Sequence, residues 1–365
     1  MLFGSTLFRY IATRFLAWCA AVFVAMSVIV FLLDFIEMLR RGAAHPGASF
    51  LVLIEMTALQ QPLVAQQMMP FAILFATMLL FWRMTRANEL VVARAAGVSA
   101  WQFLAPAIVT AFLIGLFTIT IFNPVAAVLQ ARLEAMESRL FHSSMNNLTF
   151  SSSGFWLRQS NAAGAAAVIH ADRMQMPRTR LHGVTILTFA HGVHLTGRID
   201  AKSAVLNGDH WQIDDGARWS PGRLPVPFTH LRLWTNLTPT KIQEGFAAPE
   251  TMSVWQLPGF IRLLQRSGFS AQRHILYFDS LLARPVLFTA MVLIAAIFSL
   301  RGHRRGGVAL MLGAGIGCAF ALYFLSDVVF ALGLAATIPV VFAAWIPAGV
   351  SWLLGASLVF HLEDG

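Results

Sequence analysis

Ionisable side chains inside apolar segments are where chemistry would first be sought in this chain, because a charge in a bilayer is costly and is retained for a reason. Asp34 and Glu37 fall late in the first apolar segment, Asp279 and Arg284 open the fourth, and Asp327 lies late in the fifth. A membrane-embedded enzyme acting on lipid or peptide would need a catalytic acid pair, and Asp34 with Asp327 is the pair it would use. The residues around them resemble no intramembrane protease. Serine, histidine and aspartate occur without a nucleophile elbow or comparable context. His191 and His194 in "HGVH" have metal-ligand spacing but no acidic or thiol partner close by, so an exposed hairpin is the preferred reading and no metal site is expected. "GAGIG" at 313–317 has the glycines of a phosphate loop but neither its lysine nor a preceding soluble strand; it reads as a close-packing helix face. No cofactor is therefore expected here, and ATP and Mg, if used, must be bound by another chain.

A different opportunity lies in "RANELVVARAAGVSAWQF", residues 86–103. It is too polar for lipid and too regular for a slack loop. Asn88 suits an N-cap, Glu89 the positive end of a helix dipole, and Gly97 a left-handed C-cap with Val98 packing back on the last turn. One reading is an interfacial connector. The other is a helix whose Glu89 and Arg94 dock in a groove of a soluble partner, transmitting the partner's movement to the flanking segments.

The elements that must position these residues follow from composition. The chain has 365 residues, 57% hydrophobic and only 12% charged, with mean hydropathy +0.68. Soluble domains carry roughly twice that charge, so this is an integral membrane protein. Its net charge of +9 suits loops facing the cytoplasm or anionic headgroups rather than nucleic acid. Cys19 and Cys318 lie in apolar runs and read as small buried hydrophobes. The basic start runs into an apolar stretch without a small-residue cleavage site, which favours a retained span over a signal peptide.

A span needs about 20 apolar residues. Six segments qualify: 15–38, 62–83, 101–123, 280–300, 307–331 and 336–360. The expected plan is an α-helical integral membrane protein with six transmembrane helices, three plus three, around an inserted all-β domain. Its parts are residues 1–130, with the short helix at 87–98, then 131–270, then 271–365.

Basic residues set the orientation. Arg9, Arg14, Arg83, Arg86, Arg94, Arg301, Arg304 and Arg305 place both termini and the 87–98 helix in the cytoplasm, and the β domain outside. Arg40 and Arg41 dissent at the outer end of the first span. They suit anionic lipid headgroups, or simply snorkel to the interface. Between 140 and 245, about nine short alternating or β-branched runs are separated by Asn207-Gly208, "DDG" at 214–216 and "SPG" at 220–222. A sandwich, jelly roll or curved sheet would accommodate them. "SVWQLPGFIRLLQRSGFS", 253–270, follows as an amphipathic helix.

Taken together, "NELVVARAAGVS" after the second span, Asn123-Pro124 ending the third, "LWTNLTPTKI" closing the β domain and "SVWQLPGFIRLLQRSGFSAQRH" before the fourth resemble the LptF/LptG (YjgP/YjgQ) lipopolysaccharide-export permeases over the whole chain. The last two motifs are nearer the G-type branch. The resemblance implies a subunit of an ABC-type exporter without chemistry of its own. It would sit in the Gram-negative inner membrane, paired with an F-type permease on an LptB-type ATPase dimer and joined by the single-span LptC. It would extract lipopolysaccharide from the outer leaflet toward the outer membrane.

The resemblance further implies a periplasmic β-jellyroll-like domain and a coupling helix meeting the ATPase through Glu89, with Leu90, Arg94 and Gly97 in support. The first and fifth spans would form lateral gates, with Asp34 and Asp327 as their intramembrane polar residues. Arg40 and Arg41 would face lipid phosphates, and Arg132 and Arg139 are secondary candidates. One departure is Asp34, which stands about where some members carry lysine. An acid there cannot bind phosphate directly and would pair with a basic residue of the partner. The alternatives in other classes are an FtsX-like scaffold coupling an ATPase to an outer signal, and the intramembrane enzyme above.

Overall fold

The computed structural model describes residues 2–43, 49–141, 148–151, 154–160, 166–175, 179–190, 194–222, 224–235, 247–266, 270–300 and 308–364. They fall in two compact units. The first comprises Met1–Met136, Pro249–Pro258 and Gln272–Gly365, and the second Glu137–Ala248 with Gly259–Ala271.

The helices are α1 (Leu2–Gly42), α2 (Phe50–Arg86), α3 (Glu89–Ala95), α4 (Ala100–Phe117), α5 (Asn123–Phe141), α6 (Leu257–Arg266), α7 (Gln272–Leu300), α8 (Val308–Leu334) and α9 (Val340–Asp364). Six membrane-length segments result, with α4 and α5 forming one of them, as the apolar runs predict. The helices outrun those runs. At 41 residues α1 is about 60 Å long, twice the hydrocarbon core, because its polar ends are good helix formers that hydropathy does not mark.

The third span does not end at Asn123-Pro124. It passes through a π turn, Thr118–Phe122, and continues to Phe141. The cause is Pro124, which has no N–H for the carbonyl of Thr120; the wider register lets the Asn123 N–H reach Thr118 instead.

Helix α7 is the axis of this unit, with 72% of its apolar window buried. Phe288, Val292, Leu293, Ala295 and Ala296 are sealed against Ile73, Phe81 and Phe103. Small residues set the spacing. A Cβ on Gly115 of α4 would stand 2.5 Å from the Cα of Pro285, so those backbones nearly touch. Of the "GAGIG" glycines only Gly315 acts this way, against Met78 of α2; Gly313 and Gly317 have nothing within 4 Å. Cys19 is buried, as expected, and Cys318 half-buried.

The second unit holds one antiparallel sheet of seven strands in the order β1-β2-β3-β4-β5-β6-β7. They are Leu148–Ser151, Gly154–Ser160, Ala166–Gln175, Arg180–Ala190, His194–Asn207, His210–Trp219 and Val226–Trp234. Every strand pairs with its chain neighbour, so the described residues form a meander. Among the described residues seven strands are present where about nine were expected, and no Greek-key crossing of a jelly roll occurs among them.

Asn207 pairs with His210 across a two-residue turn, and Gly222 has the positive φ of the "SPG" turn. "DDG" is not a turn. It lies inside β6, where Asp215 takes φ +52 and the strand carries on because both neighbours keep it paired. Cross-strand pairing lines up Leu157, Ile169, Ile186 and Ile199 in one buried row and Leu181, Ala204 and Ile213 in another, with the positive-φ Gly183 between the two rows on β4. The "SVWQLPGFIRLLQRSGFS" helix is shorter than expected, starting at Leu257 after a turn at Ser253–Gln256.

Trp211 is fully buried, flanked across the ladder by Leu206 and Leu233. Trp211→Ala should cost the sheet about 3–5 kcal/mol. Thermal unfolding of the solubilised protein, followed by its β-sheet circular dichroism, checks this.

Candidate functional site

Four constellations bring the polar residues of the first unit together. The first surrounds α3, which runs only from Glu89 to Ala95, shorter than the expected 87–98. Asn88 does not cap it with its side chain. It takes φ 58 in a left-handed turn, and the helix start is held by tertiary contacts instead. The C-terminus is as the sequence predicts. Gly97 has φ +81, its N–H donates to the Arg94 carbonyl, and the Val98 N–H donates to Ala93, a complete Schellman motif. Ser99 then opens α4 with a reciprocal capping box to Gln102, a Ser-x-x-Gln signal the sequence reading passed over.

Leu90 is buried in the helical core with Met84 and Phe103. Val91, Val92 and Arg94 are exposed, leaving an aliphatic face with a basic edge. Glu89 is half-buried, and both its carboxylate oxygens accept from the Tyr10 hydroxyl of α1, at 3.2 and 3.3 Å. Arg14, one turn on, places its guanidinium 5.1 Å from the Tyr10 ring centre. A groove of about 370 Å³ between Leu7, Tyr10, Met84, Glu89, Leu90, Val92 and Phe103 follows from this arrangement. Sequence reading missed Tyr10, which looks like an ordinary interfacial aromatic.

The second constellation closes the far end of α1. Arg40 makes two hydrogen bonds of 2.8 Å to Glu37, and Arg41 one of 2.9 Å. The two arginines therefore share one carboxylate, and the exposed trio carries one net positive charge. Asp34 is not in it. It is half-buried, and its Oδ2 is shielded without a hydrogen-bond partner. Arg132 of α5 pairs with Glu55 of α2. The side chain of Arg139 lies outside the described residues, as do His191, Arg301, Arg304, Arg305 and residues 236–242 of "LWTNLTPTKI". Asp327 is exposed on α8, and no hydrogen bond among the described residues joins it to Asp34. No group of three metal-ligating side chains occurs among the described residues.

The third lies at the π turn. The Thr120 carbonyl, which Pro124 cannot serve, accepts from the Trp255 indole at 3.3 Å. Asn123 accepts from the Val254 N–H at 2.8 Å and donates to the Tyr277 hydroxyl at 3.5 Å. Next to this clamp lies an apolar groove of about 510 Å³, lined by Phe112, Leu116, Ile119, Trp255, Phe278, Leu282, Pro285 and Trp345. The fourth is inside the bundle: Arg284 of α7 donates to Gln66 of α2 at 2.6 Å. Sequence reading marked Arg284 but not Gln66, a polar residue between Pro62 and Pro70.

The Tyr10 contact yields a direct test. Tyr10→Phe keeps the ring under Arg14 and the groove wall but removes the bond to Glu89. Amide hydrogen exchange within residues 89–95 should speed up by about tenfold, with the rest of α1 unchanged. Unaltered exchange would mean that the hydroxyl does not hold α3.

The family model described as lipopolysaccharide export system permease LptF/LptG matches residues 9–360. The lipopolysaccharide export system permease protein LptG of Escherichia coli strain K12 is 25% identical over 311 residues, covering 84% of each chain. The same protein from Escherichia coli O6:H1 strain CFT073 gives the same figures. Both relatives are G-type, the branch that the two late motifs resemble.

Proposed function

With nearly its whole length matched, this chain belongs to the LptF/LptG family of lipopolysaccharide export permeases, and from that premise we propose that it is the G-type subunit of an ATP-driven exporter. As a member it is a multi-pass inner-membrane transport component rather than an enzyme. On our reading both termini and α3 face the cytoplasm, the β domain faces the periplasm, and ATP is hydrolysed by a separate LptB-type dimer. The cargo is lipopolysaccharide in the outer leaflet, an F-type permease completes the cavity, and an LptC-type single-span protein joins the assembly. No cofactor belongs to this chain.

The observation that carries the reading is the Glu89–Tyr10 bond. It ties the helix offered to the ATPase to the cytoplasmic end of α1, and α1 runs unbroken to Arg40 and Arg41 at the outer leaflet. Leu90 anchors α3 in the bundle, Gly97 turns the chain back to α4, and Val91, Val92 and Arg94 are left for the partner's groove. Exposure also supports the expected permease partner. The first and fifth spans have only 6% and 11% of their apolar windows buried, against 33–72% for the other four. These are the faces a second permease would cover, with Asp34 and Asp327 on them.

The arginines are reassigned in part. Arg40 and Arg41 can turn toward a lipid phosphate only by sharing or leaving Glu37, and Arg132 only by leaving Glu55. They serve as exchangeable rather than permanently free cations.

Affinity purification of the full chain from its native membrane in mild detergent tests the proposal. We expect a cytoplasmic ATPase, a second six-span permease and bound lipopolysaccharide to co-purify. Glu89→Lys should cut lipopolysaccharide release per ATP hydrolysed by at least about tenfold while the permeases still pair. A scaffold would bring the ATPase without lipid. An intramembrane enzyme would bring neither, and its activity would ignore Glu89.

A further inference from the structure

Arg284 sits in a membrane-spanning helix, yet among the described residues it has no carboxylate within ion-pair distance. Its hydrogen bond goes to the neutral amide of Gln66, at 2.6 Å. An arginine can only donate, so the amide must turn its oxygen to the guanidinium, and the orientation of Gln66 is thereby fixed. That orientation commits the oxygen of Gln66 to Arg284. Its Nε2, on the same planar group, is left buried with no partner, on a side chain only 1% exposed.

Apart from that oxygen the cluster consists of donors: the remaining guanidinium N–H groups and the amide NH2. A donor-rich cluster bearing positive charge in a low-dielectric setting lacks one thing, an anionic acceptor. Asp279 does not supply it, because five residues along α7 place it about 140° round the helix from Arg284. Arg284 is half-buried rather than sealed, so a ligand can reach it.

Depth identifies the class of ligand. Arg284 and Gln66 each stand four residues inside the outer ends of their apolar runs, 284 against 280 and 66 against 62. At 1.5 Å per residue both lie about 6 Å below the outer boundary, level with each other and within an arginine's reach of the headgroup region. We propose that Arg284 and Gln66 form an intramembrane binding site for a lipid phosphate of the outer leaflet. The outer-leaflet assignment rests on the export reading's orientation; the anion chemistry does not. The phosphate belongs either to the saccharolipid cargo or to an ordinary anionic phospholipid.

The test uses the whole exporter complex in nanodiscs of neutral phosphatidylcholine. Three probes are added: lipopolysaccharide, lipopolysaccharide enzymatically stripped of its lipid A phosphates, and phosphatidylglycerol. Binding is read by native mass spectrometry for the wild type and for Arg284→Gln, Arg284→Lys and Gln66→Glu. Gln66→Glu guards against misfolding, since it gives Arg284 a resident carboxylate that keeps the pair together while competing with phosphate.

We expect Arg284→Gln and Gln66→Glu to weaken binding of at least one phosphorylated probe by about tenfold or more, with Arg284→Lys retaining most of it and the stripped probe unaffected. Dependence confined to lipopolysaccharide assigns the phosphate to the cargo. Dependence confined to phosphatidylglycerol keeps the site but makes it a phospholipid site. Should Arg284→Gln and Gln66→Glu both bind the two phosphorylated probes within about twofold of wild type, the proposal is overturned and the pair is only an interhelical tie. Lipopolysaccharide binding that persists in that case leaves the export reading standing.

Discussion

A polar group inside this helical bundle must find its partner inside the bundle, because hydrocarbon offers none. Much of the irregular structure follows from that constraint. Pro124 removes one N–H; the Thr120 carbonyl then needs another donor, and the Trp255 indole supplies it. Asn123 in turn holds the Val254 N–H, so the segment that precedes the fourth span is fixed to the third by a defect in the third. A regular helix without proline would offer no such attachment point. The same constraint fixes the amide of Gln66 against Arg284, and there the arithmetic of donors and acceptors does not close within the described chain.

Charge at the membrane boundary is handled differently, since water and headgroups are in reach. Glu37 sits one turn before Arg40 and Arg41 on the same helix face and accepts from both. Pairs this exposed contribute little to stability and exchange partners easily. On the proposed reading that is an advantage: a permanently bare arginine pair would hold a lipid phosphate too well, and a buried salt bridge would not open. Arg132 with Glu55 repeats the arrangement between two different helices.

What could be foreseen divides along physical lines. The six spans were legible because 20-residue apolar runs have few other uses, and the Gly97 cap because a positive φ at a helix end selects glycine. Helix ends were not legible, since hydropathy reports lipid contact and not helix length; hence the third span was expected to stop at Asn123. The sheet was legible as strands but not as topology, and "DDG" misled because turn residues also fit a kinked strand at Asp215. At the candidate site, Glu89 and Leu90 could be nominated from their motif. Tyr10, Gln66 and Trp255 could not, because each matters through a partner at least 79 residues away.

The distribution of proline separates the bundle into two kinds of helix. The well-buried spans each contain it: Pro62 and Pro70 in α2, Pro106 in α4, Pro285 in α7 and Pro347 in α9. The two least buried, α1 and α8, have none. Proline kinks a helix and lets it bend locally, so displacement applied at one end is absorbed at the kink. A proline-free helix passes it on. Helix α1, 41 residues long without a break, is held near one end by Tyr10 on Glu89 and carries Glu37, Arg40 and Arg41 at the other. On the proposed reading, a shift of α3 would reach Arg40 and Arg41 as movement of a rigid rod against a proline-bearing, tightly packed core. The members with the fewest neighbours to repack are those best built to move.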